Sequence, residues 1–475
     1  MDLERLIAAL APEAVVQRAP VEIRDLAYDA RAAAPGTLFF AVPGTTRDGH
    51  EFAPQAVAQG AAALVVARPL ELPVPQLVVG DVRAAMAVAA DELFGRPTEE
   101  LEVAGVTGTS GKTTTAFVLH SILEAAGRRP GLVGTVETRI GTERRKLERT
   151  TPEAIDLQRL FREMLQAGNR SAVIEASSHA SELRRLDRVR MRALAFTNLS
   201  HEHLDFHGTM DAYYAAKRRL FDSEPRPLAA VSVDDEWGRR LAGELGSVLT
   251  FGVAPDARLR AEGLELGPDG ARLVVDGLPL RTHLRGAFNV ENVLAAVALA
   301  RLLDVEDEAI GAGVESLRGV PGRLEPVDEG QPFSVVVDYA HKPEALANVL
   351  RTARELSRGR VLVVFGAGGD RDREKRPLMG RIASELADVV VVTSDNPRSE
   401  DPQAIVDEIL AGTRPDVQVE LDRRAAIESA VDQAREGDVL VIAGKGHEPG
   451  QEVAGEIHPF DDRDVAREAL RAVRA

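Results

Sequence analysis

Short apolar runs broken by glycine and proline set the rhythm of the first hundred residues. Runs at 36–42, 61–66 and 76–79 alternate with turn-forming residues and predict a small α/β unit that closes near Gly95-Arg96-Pro97. A strand-like run at 101–106 opens a second unit. A glycine-rich turn follows it, then a helical period from Thr113 to Ala126. Further apolar runs at 171–175, 193–197 and 229–233 are separated by helical or loop segments, which predicts a mostly parallel sheet covered on both faces. Residues 257–284 alternate more like antiparallel strands added at an edge. Gly319-Val320-Pro321-Gly322-Arg323 interrupts both periodicities and predicts a linker. Beyond it, strands are expected at 334–338, 360–365, 388–393 and 438–443, with helices at 343–356 and 402–410. That rhythm is Rossmann-like, but no convincing GxGxxG accompanies it, so dinucleotide binding is not inferred. The expectation is an α/β chain of three domains, 1–97, 98–318 and 319–475.

Bulk properties narrow the class. A chain of 475 residues is too long for one ordinary core, and 44% hydrophobic with 28% charged residues describes a globular protein. Cysteine is absent, which excludes disulfides and thiolate metal sites. The opening MDLERLIAAL has early acids and no long apolar run, so a secretory signal is not expected. No stretch approaches the ~20 apolar residues of a membrane span, and a cytoplasmic location without membrane insertion is the expectation. A formal net charge of −17 argues against nucleic-acid binding. It also requires that an anionic substrate be held by a local cluster of donors.

The first chemistry lies in Thr107-Gly108-Thr109-Ser110-Gly111-Lys112-Thr113-Thr114-Thr115. Glycines let backbone amides turn toward an anion, and the helix start adds N–H donors and a positive dipole end. Gly108, Thr109, Ser110, Gly111, Lys112, Thr113 and Thr114 are therefore candidate ATP contacts. Lys112 can reach the β/γ-phosphates, and Thr113 can offer a hydroxyl to Mg²⁺. The spacing departs from GxxxxGK[ST], with Val106 at the first glycine position.

This TGTxGKTTT variant resembles the Mur ligase family, and other segments repeat the resemblance in order along almost the whole chain. Leu26-Ala27-Tyr28-Asp29-Ala30-Arg31 and the run from Pro35 to Ala41 are similar to the family's N-terminal uridine-nucleotide domain. Thr150-Thr151-Pro152, Glu175-Ala176-Ser177-Ser178-His179, the run TNLSHEHLD at 197–205 and Ala215-Ala216-Lys217 resemble the central P-loop ATPase domain. Gly286-Ala287-Phe288-Asn289-Val290-Glu291-Asn292 resembles the adenine-side motif. Asp338-Tyr339-Ala340-His341, GGDRD at 368–372, Asp395-Asn396-Pro397-Arg398 and Gly444-Lys445-Gly446-His447-Glu448 resemble the C-terminal domain.

The resemblance implies an ATP- and Mg²⁺-dependent ligase that phosphorylates the D-glutamyl carboxylate of UDP-N-acetylmuramoyl-L-alanyl-D-glutamate and lets an amine displace the phosphate. Such chemistry is largely positioning and charge neutralisation. Lys112, Glu175, His203 and Lys217 are implied catalytic residues. Thr113, Glu175, His203 and Lys217 are implied metal ligands, with Lys217 carboxylated to a carbamate. For an arbitrary chain Lys217 would be a solvated helix residue, and Glu175 could be an exposed acid. Thr150, Thr151, Ser177 and Arg185 are implied substrate contacts, as is position 30, where Ala30 replaces the usual serine; Leu183 stands where some relatives have glutamine. Asp29, Phe39 and Phe40 are read as framework. Asn289 can cap a helix or meet the adenine edge, and His341 can be a core histidine.

Asp395-Asn396-Pro397-Arg398 is similar to the motif of the family member that adds meso-diaminopimelate. A guanidinium suits the carboxylate that this amino acid has and lysine lacks. Arg371, Gly444 and Glu448 match the remaining amino-acid contacts, with Glu448 placed to receive the distal ammonium. Alternatives are the same scaffold adding L-lysine or another amino acid, and a non-catalytic P-loop switch. The latter should lack the amino-acid set. The assembly state is not legible, with a monomer the working expectation. Closure between domains is expected, with the 319–322 segment as the candidate hinge.

Overall fold

The computed structural model describes residues 1–44, 47–267 and 269–474. They form two compact units: residues 1–259 with 295–313, and residues 260–294 with 314–475.

The first unit contains two sheets. Five strands near the N-terminus run in the order Ala14–Val16, Gln76–Val78, Ala63–Val66, Thr37–Phe40, Asp25–Ala27, all parallel except the first. Phe39 and Phe40 point to opposite faces and sit in separate apolar clusters, as framework residues should. The larger sheet has nine strands. Its middle reads Leu228–Ser232, Met191–Phe196, Glu102–Thr107, Ser171–Glu175, Pro130–Val133, all parallel. These strands are buried on both faces, which is why they read as continuous apolar runs rather than alternating ones. The helix Val82–Leu93 packs on the helix Ala154–Gln166, and Tyr28 donates to Asp156 (2.7 Å), joining the small sheet to the large one.

The second unit holds a six-stranded sheet ordered Glu325–Pro326, Ser334–Asp338, Val439–Ala443, Val361–Phe365, Val389–Val392, Gln418–Val419. All but its first strand are parallel. A separate antiparallel sheet, Glu262–Gly267, Gly270–Val275 and Leu278–Thr282, accounts for the alternation seen at 257–284. A hairpin pairs Gly450–Val453 with Glu456–Pro459.

The sequence reads 319–322 as a linker. The chain passes between units at 259/260, 294/295 and 313/314, so this segment lies within the second unit. Gly322 donates its N–H to Glu325 (2.7 Å) and accepts from the Tyr339 N–H (2.9 Å). Among the described residues no helix is long and apolar enough to cross a membrane.

Candidate active site

In the first unit, functional side chains gather at the carboxyl ends of neighbouring parallel strands, where open α/β sheets bind ligands. The strand Glu102–Thr107 leads through the phosphate loop into the helix Lys112–Ala125. Gly108 has φ +147°, and a Cβ there would collide with the Thr197 hydroxyl, so only glycine fits. The next strand's loop braces this turn from outside. Asn198 accepts from the Ser110 N–H (2.8 Å), and the Thr197 hydroxyl donates to the Ser110 carbonyl (2.7 Å). Lys112 folds over the loop, its ammonium donating to the Gly108 and Thr109 carbonyls at 2.8 Å each.

Glu175 ends its strand with 1% exposure. Its carboxylate accepts from the Thr113 hydroxyl (3.0 Å), the Thr135 N–H (2.7 Å) and the Thr135 hydroxyl (3.0 Å). Among the described residues no arginine or lysine forms an ion pair with it. A buried carboxylate held by neutral donors beside a phosphate-loop hydroxyl suits a hard cation. Lys217, on the helix Met210–Arg218, is equally buried, so the solvated-face alternative does not describe it. Its ammonium donates to the Gly108 carbonyl (2.7 Å) and lies 4.7 Å from the centre of the Tyr213 ring. His203 sits at φ +54°, its ring edge-on to His179 (4.6 Å) and to Tyr213 (6.0 Å). Burial and the neighbouring His207 hold the His179 imidazole down at about 4. Among the described residues no three histidine or acidic side chains converge as a metal cage.

The implied substrate contacts adjoin Glu175. Thr135 and Thr150 share a hydroxyl bond (3.0 Å), and Thr151 donates to the Glu175 carbonyl (2.7 Å) and shares a hydroxyl contact with Ser177 (3.1 Å). Arg185 donates to the Thr151 carbonyl (3.2 Å) and pairs with Glu153 (2.9 Å), while its Nε is buried without a hydrogen-bond partner. Glu153 also pairs with Arg83 (3.1 Å) and Arg149 (3.0 Å). One buried acid thus gathers three guanidiniums, the local cationic patch that a chain of −17 needs for an anionic substrate. Arg83 and Arg149, with Tyr28, Arg47 and Phe52, line a cavity of about 220 Å³. Sequence reasoning missed Arg83, Arg149 and Glu153 because they share no motif. Ala30 packs in the apolar cluster of Ala27, Ala33 and Phe39 and offers only a methyl group.

In the second unit, four segments leave the carboxyl ends of adjacent strands and converge. Asn396 donates to Glu448 (2.9 Å), whose other oxygen accepts from the Tyr339 hydroxyl (3.2 Å). Gly444 has φ +120°, and a Cβ there would strike the Asp395 carboxylate. Asp395 is buried, and its Oδ2 has no hydrogen-bond partner. Arg398, at φ +53°, donates to the Gly369 carbonyl (2.6 Å) and faces Glu452 (3.4 Å). Arg371 is exposed and leaves the same glycine turn. Underneath, Arg376 is fully buried, pairs with Glu400 and Glu408 (2.8 Å each), and donates to the Gly368 carbonyl (3.2 Å). Arg423 and Asp462 form a buried two-bond pair, both bonds 2.7 Å. Lys445 is buried among these groups, and burial pulls its ammonium below the usual lysine value. His341 is half-buried, its ring bonded to the Tyr339 carbonyl (2.7 Å). Asn289 donates to the Arg285 carbonyl (2.7 Å) and accepts from the Asn292 side chain (2.9 Å) in the first turn of the helix Ala287–Leu302. It also lines a cavity of about 130 Å³ with Arg285, Arg318 and Arg323.

A phosphate loop and a buried carboxylate at one parallel sheet edge, with a second α/β sheet carrying an arginine-rich polar cluster, define an α/β protein built to bind phosphate. Comparison with known proteins places it more closely. Residues 22–106 match the Mur ligase family catalytic domain, 106–300 the Mur ligase middle domain, and 322–446 the Mur ligase glutamate ligase domain. The chain belongs to the Mur ligase family and is an amide-forming, ATP-consuming enzyme. It is 45% identical over 480 residues to the UDP-N-acetylmuramoyl-L-alanyl-D-glutamate–2,6-diaminopimelate ligase of Solibacter usitatus, covering 98% of this chain and 96% of that one. Identity to the protein of the same name from Streptomyces coelicolor is 46%, over 95% and 93% of the two chains. A solved structure of a ligase of that name superposes with TM-score 0.69 at 31% identity, covering 97% of each chain. A MurF ligase from Thermotoga maritima in complex with ADP shares the fold at TM-score 0.63 and 19% identity, over 95% of this chain and 99% of that one.

Proposed function

We propose that this enzyme joins meso-2,6-diaminopimelate to the D-glutamate of UDP-N-acetylmuramoyl-L-alanyl-D-glutamate, with ATP converted to ADP and phosphate, as a cytoplasmic step in peptidoglycan precursor synthesis. The observation that carries the reading is the convergence of Asn396, Arg398 and Glu448, with Arg371 in the adjoining glycine turn, from three strand ends of one sheet. Guanidiniums suit the substrate's distal carboxylate, and Glu448 suits its distal ammonium. Full-length relatives of that name support the choice of amino acid.

Amide formation needs an activated carboxyl group. In the proposed route the γ-phosphoryl of ATP passes to the D-glutamyl carboxylate, the amine of the incoming amino acid attacks the acyl phosphate, and phosphate leaves. The loop amides from Gly108 to Thr114 cradle the phosphates, and Lys112 swings from its carbonyl contacts to neutralise the transferring group. Thr150, Thr151, Ser177 and Arg185 orient the carboxylate, and Arg83 and Arg149 offset the charge of the nucleotide end. Asn289 serves the adenine side.

Mg²⁺, when bound, supplies charge neutralisation at the transferring phosphoryl group. Thr113 and Glu175 would hold one ion, and His203 and Lys217 a second. As a carbamate, Lys217 would keep one N–H on Nζ, so its bond to Gly108 survives while the side chain becomes an oxygen ligand. The domains assigned are 1–97 for the nucleotide end, 98–318 for ATP and 319–475 for the amino acid.

The test is phosphate release with ATP, Mg²⁺ and the UDP-linked dipeptide, comparing meso-diaminopimelate with L-lysine and weighing the product by mass spectrometry. Release and a tripeptide product only with meso-diaminopimelate are expected. Release only with lysine would discard the role given to Arg398.

A further inference from the structure

Lys445 lies in the turn after the strand Val439–Ala443 and is fully buried. A buried ammonium carries three donors and no acceptor, so it persists only where acceptors surround it. Three do: the Asn396 Oδ1 at 3.1 Å, the Gly450 carbonyl at 2.6 Å, and the Glu448 Oε2 at 3.6 Å. The Asn396 Oδ1 also accepts from the Glu452 N–H at 2.9 Å. Two donors on one side of the carboxamide force its oxygen to face them. Its NH₂ is thereby turned to Glu448, where the donated bond is 2.9 Å.

We propose that Lys445 is a positioning residue for the amino-acid subsite, setting which face of the Asn396 carboxamide meets Glu448. This rests on the reading of that cluster as the amino-acid site. Without the ammonium, the carboxamide oxygen keeps only the Glu452 N–H as donor and is held less firmly. Glu448 also loses a neighbouring positive charge, so both the orientation of the carboxamide and the charge balance of the acid weaken. The same loss releases Gly450, the first residue of the hairpin whose Glu452 faces Arg398. One buried side chain therefore governs both the acid proposed to receive the substrate's ammonium and the counter-ion of the arginine proposed to receive its carboxylate.

The test is steady-state kinetics of the full chain carrying Lys445→Met, Asn396→Asp, or both. The amino acid varied is whichever one the unmodified enzyme accepts. Rejection of meso-diaminopimelate by the unmodified enzyme would overturn the substrate reading and leave the test of Lys445 intact. Each single variant should raise the amino-acid KM at least ~10-fold while the KM values for ATP and the nucleotide substrate stay within about twofold. The double variant should lie within about threefold of the worse single one, because both break the same contact. A folded Lys445→Met with unchanged amino-acid KM overturns the proposal, as do equal rises for all three substrates or additive effects in the double variant. Should Lys445→Met fail to fold, Lys445→Gln takes its place: it removes the charge beside Glu448 and shortens the reach to Asn396 and Gly450, and an unchanged amino-acid KM in that variant overturns the proposal.

Discussion

The phosphate loop and the cluster proposed to take the amino acid both sit at the carboxyl edge of a parallel sheet, yet they are built from different materials. The loop is nearly all backbone and hydroxyl: Gly108, Thr109, Ser110 and Gly111 are contiguous, and Thr197 and Asn198 brace them through neutral bonds. The amino-acid cluster is made of charged side chains from distant segments. Its shape depends on ion pairs beneath it, Arg376 with Glu400 and Glu408, and Arg423 with Asp462. A phosphate can be held by amides that the chain supplies locally. A zwitterion with an extra carboxylate and ammonium needs opposite charges at set distances, and a net-negative chain must brace its cations to keep them there.

The difference implies that the second region is the more fragile to loss of a single charge. Arg423→Met leaves Asp462 buried and unpaired, and chemical denaturation should show about 3–5 kcal/mol of lost stability. Lys112→Met should leave folding intact while lowering turnover ~10²–10³-fold, the scale for removing one donor to a developing anion, as read by phosphate release. Arg398→Lys should raise the KM for meso-diaminopimelate about tenfold with little change in the KM for ATP, because an ammonium cannot make two parallel bonds to a carboxylate. The smallest effect should come with pH. The hydrogen bond from Arg376 is the main cause that holds the Glu400 carboxyl at about 2, against an ordinary value of 4.5. Its contribution to stability is fully present above 4.5 and is lost as pH falls toward 2. Glu400→Gln should therefore lower the melting temperature at pH 7 and converge with the unmodified protein at the acid end.

The same contrast governs what could be read from the chain. Strands buried on both faces announce themselves as apolar runs, so Ser171–Glu175 and Ser334–Asp338 were legible to the residue. The loop was legible because its donors are adjacent in sequence. The braces were not: Arg423 and Asp462 are 39 positions apart, and nothing in their local pattern distinguishes them from surface charges. Lys445 stood inside a motif, but only its burial and its three acceptors set it apart. The 319–322 segment was legible only as a break. Glycine and proline mark a chain that leaves regular structure, and that is compatible with a turn bonded to Glu325 and Tyr339 as well as with a hinge.

If the two regions divide the reaction as their materials suggest, phosphoryl transfer belongs to the first and amine delivery to the second. The most direct measurement is trapping of the acyl phosphate by borohydride reduction, with ATP, Mg²⁺ and the UDP-linked dipeptide present and the amino acid omitted. The unmodified enzyme and Arg398→Lys should both yield the reduced product, and Lys112→Met should not. Loss of trapping in Arg398→Lys, or its retention in Lys112→Met, would contradict that division.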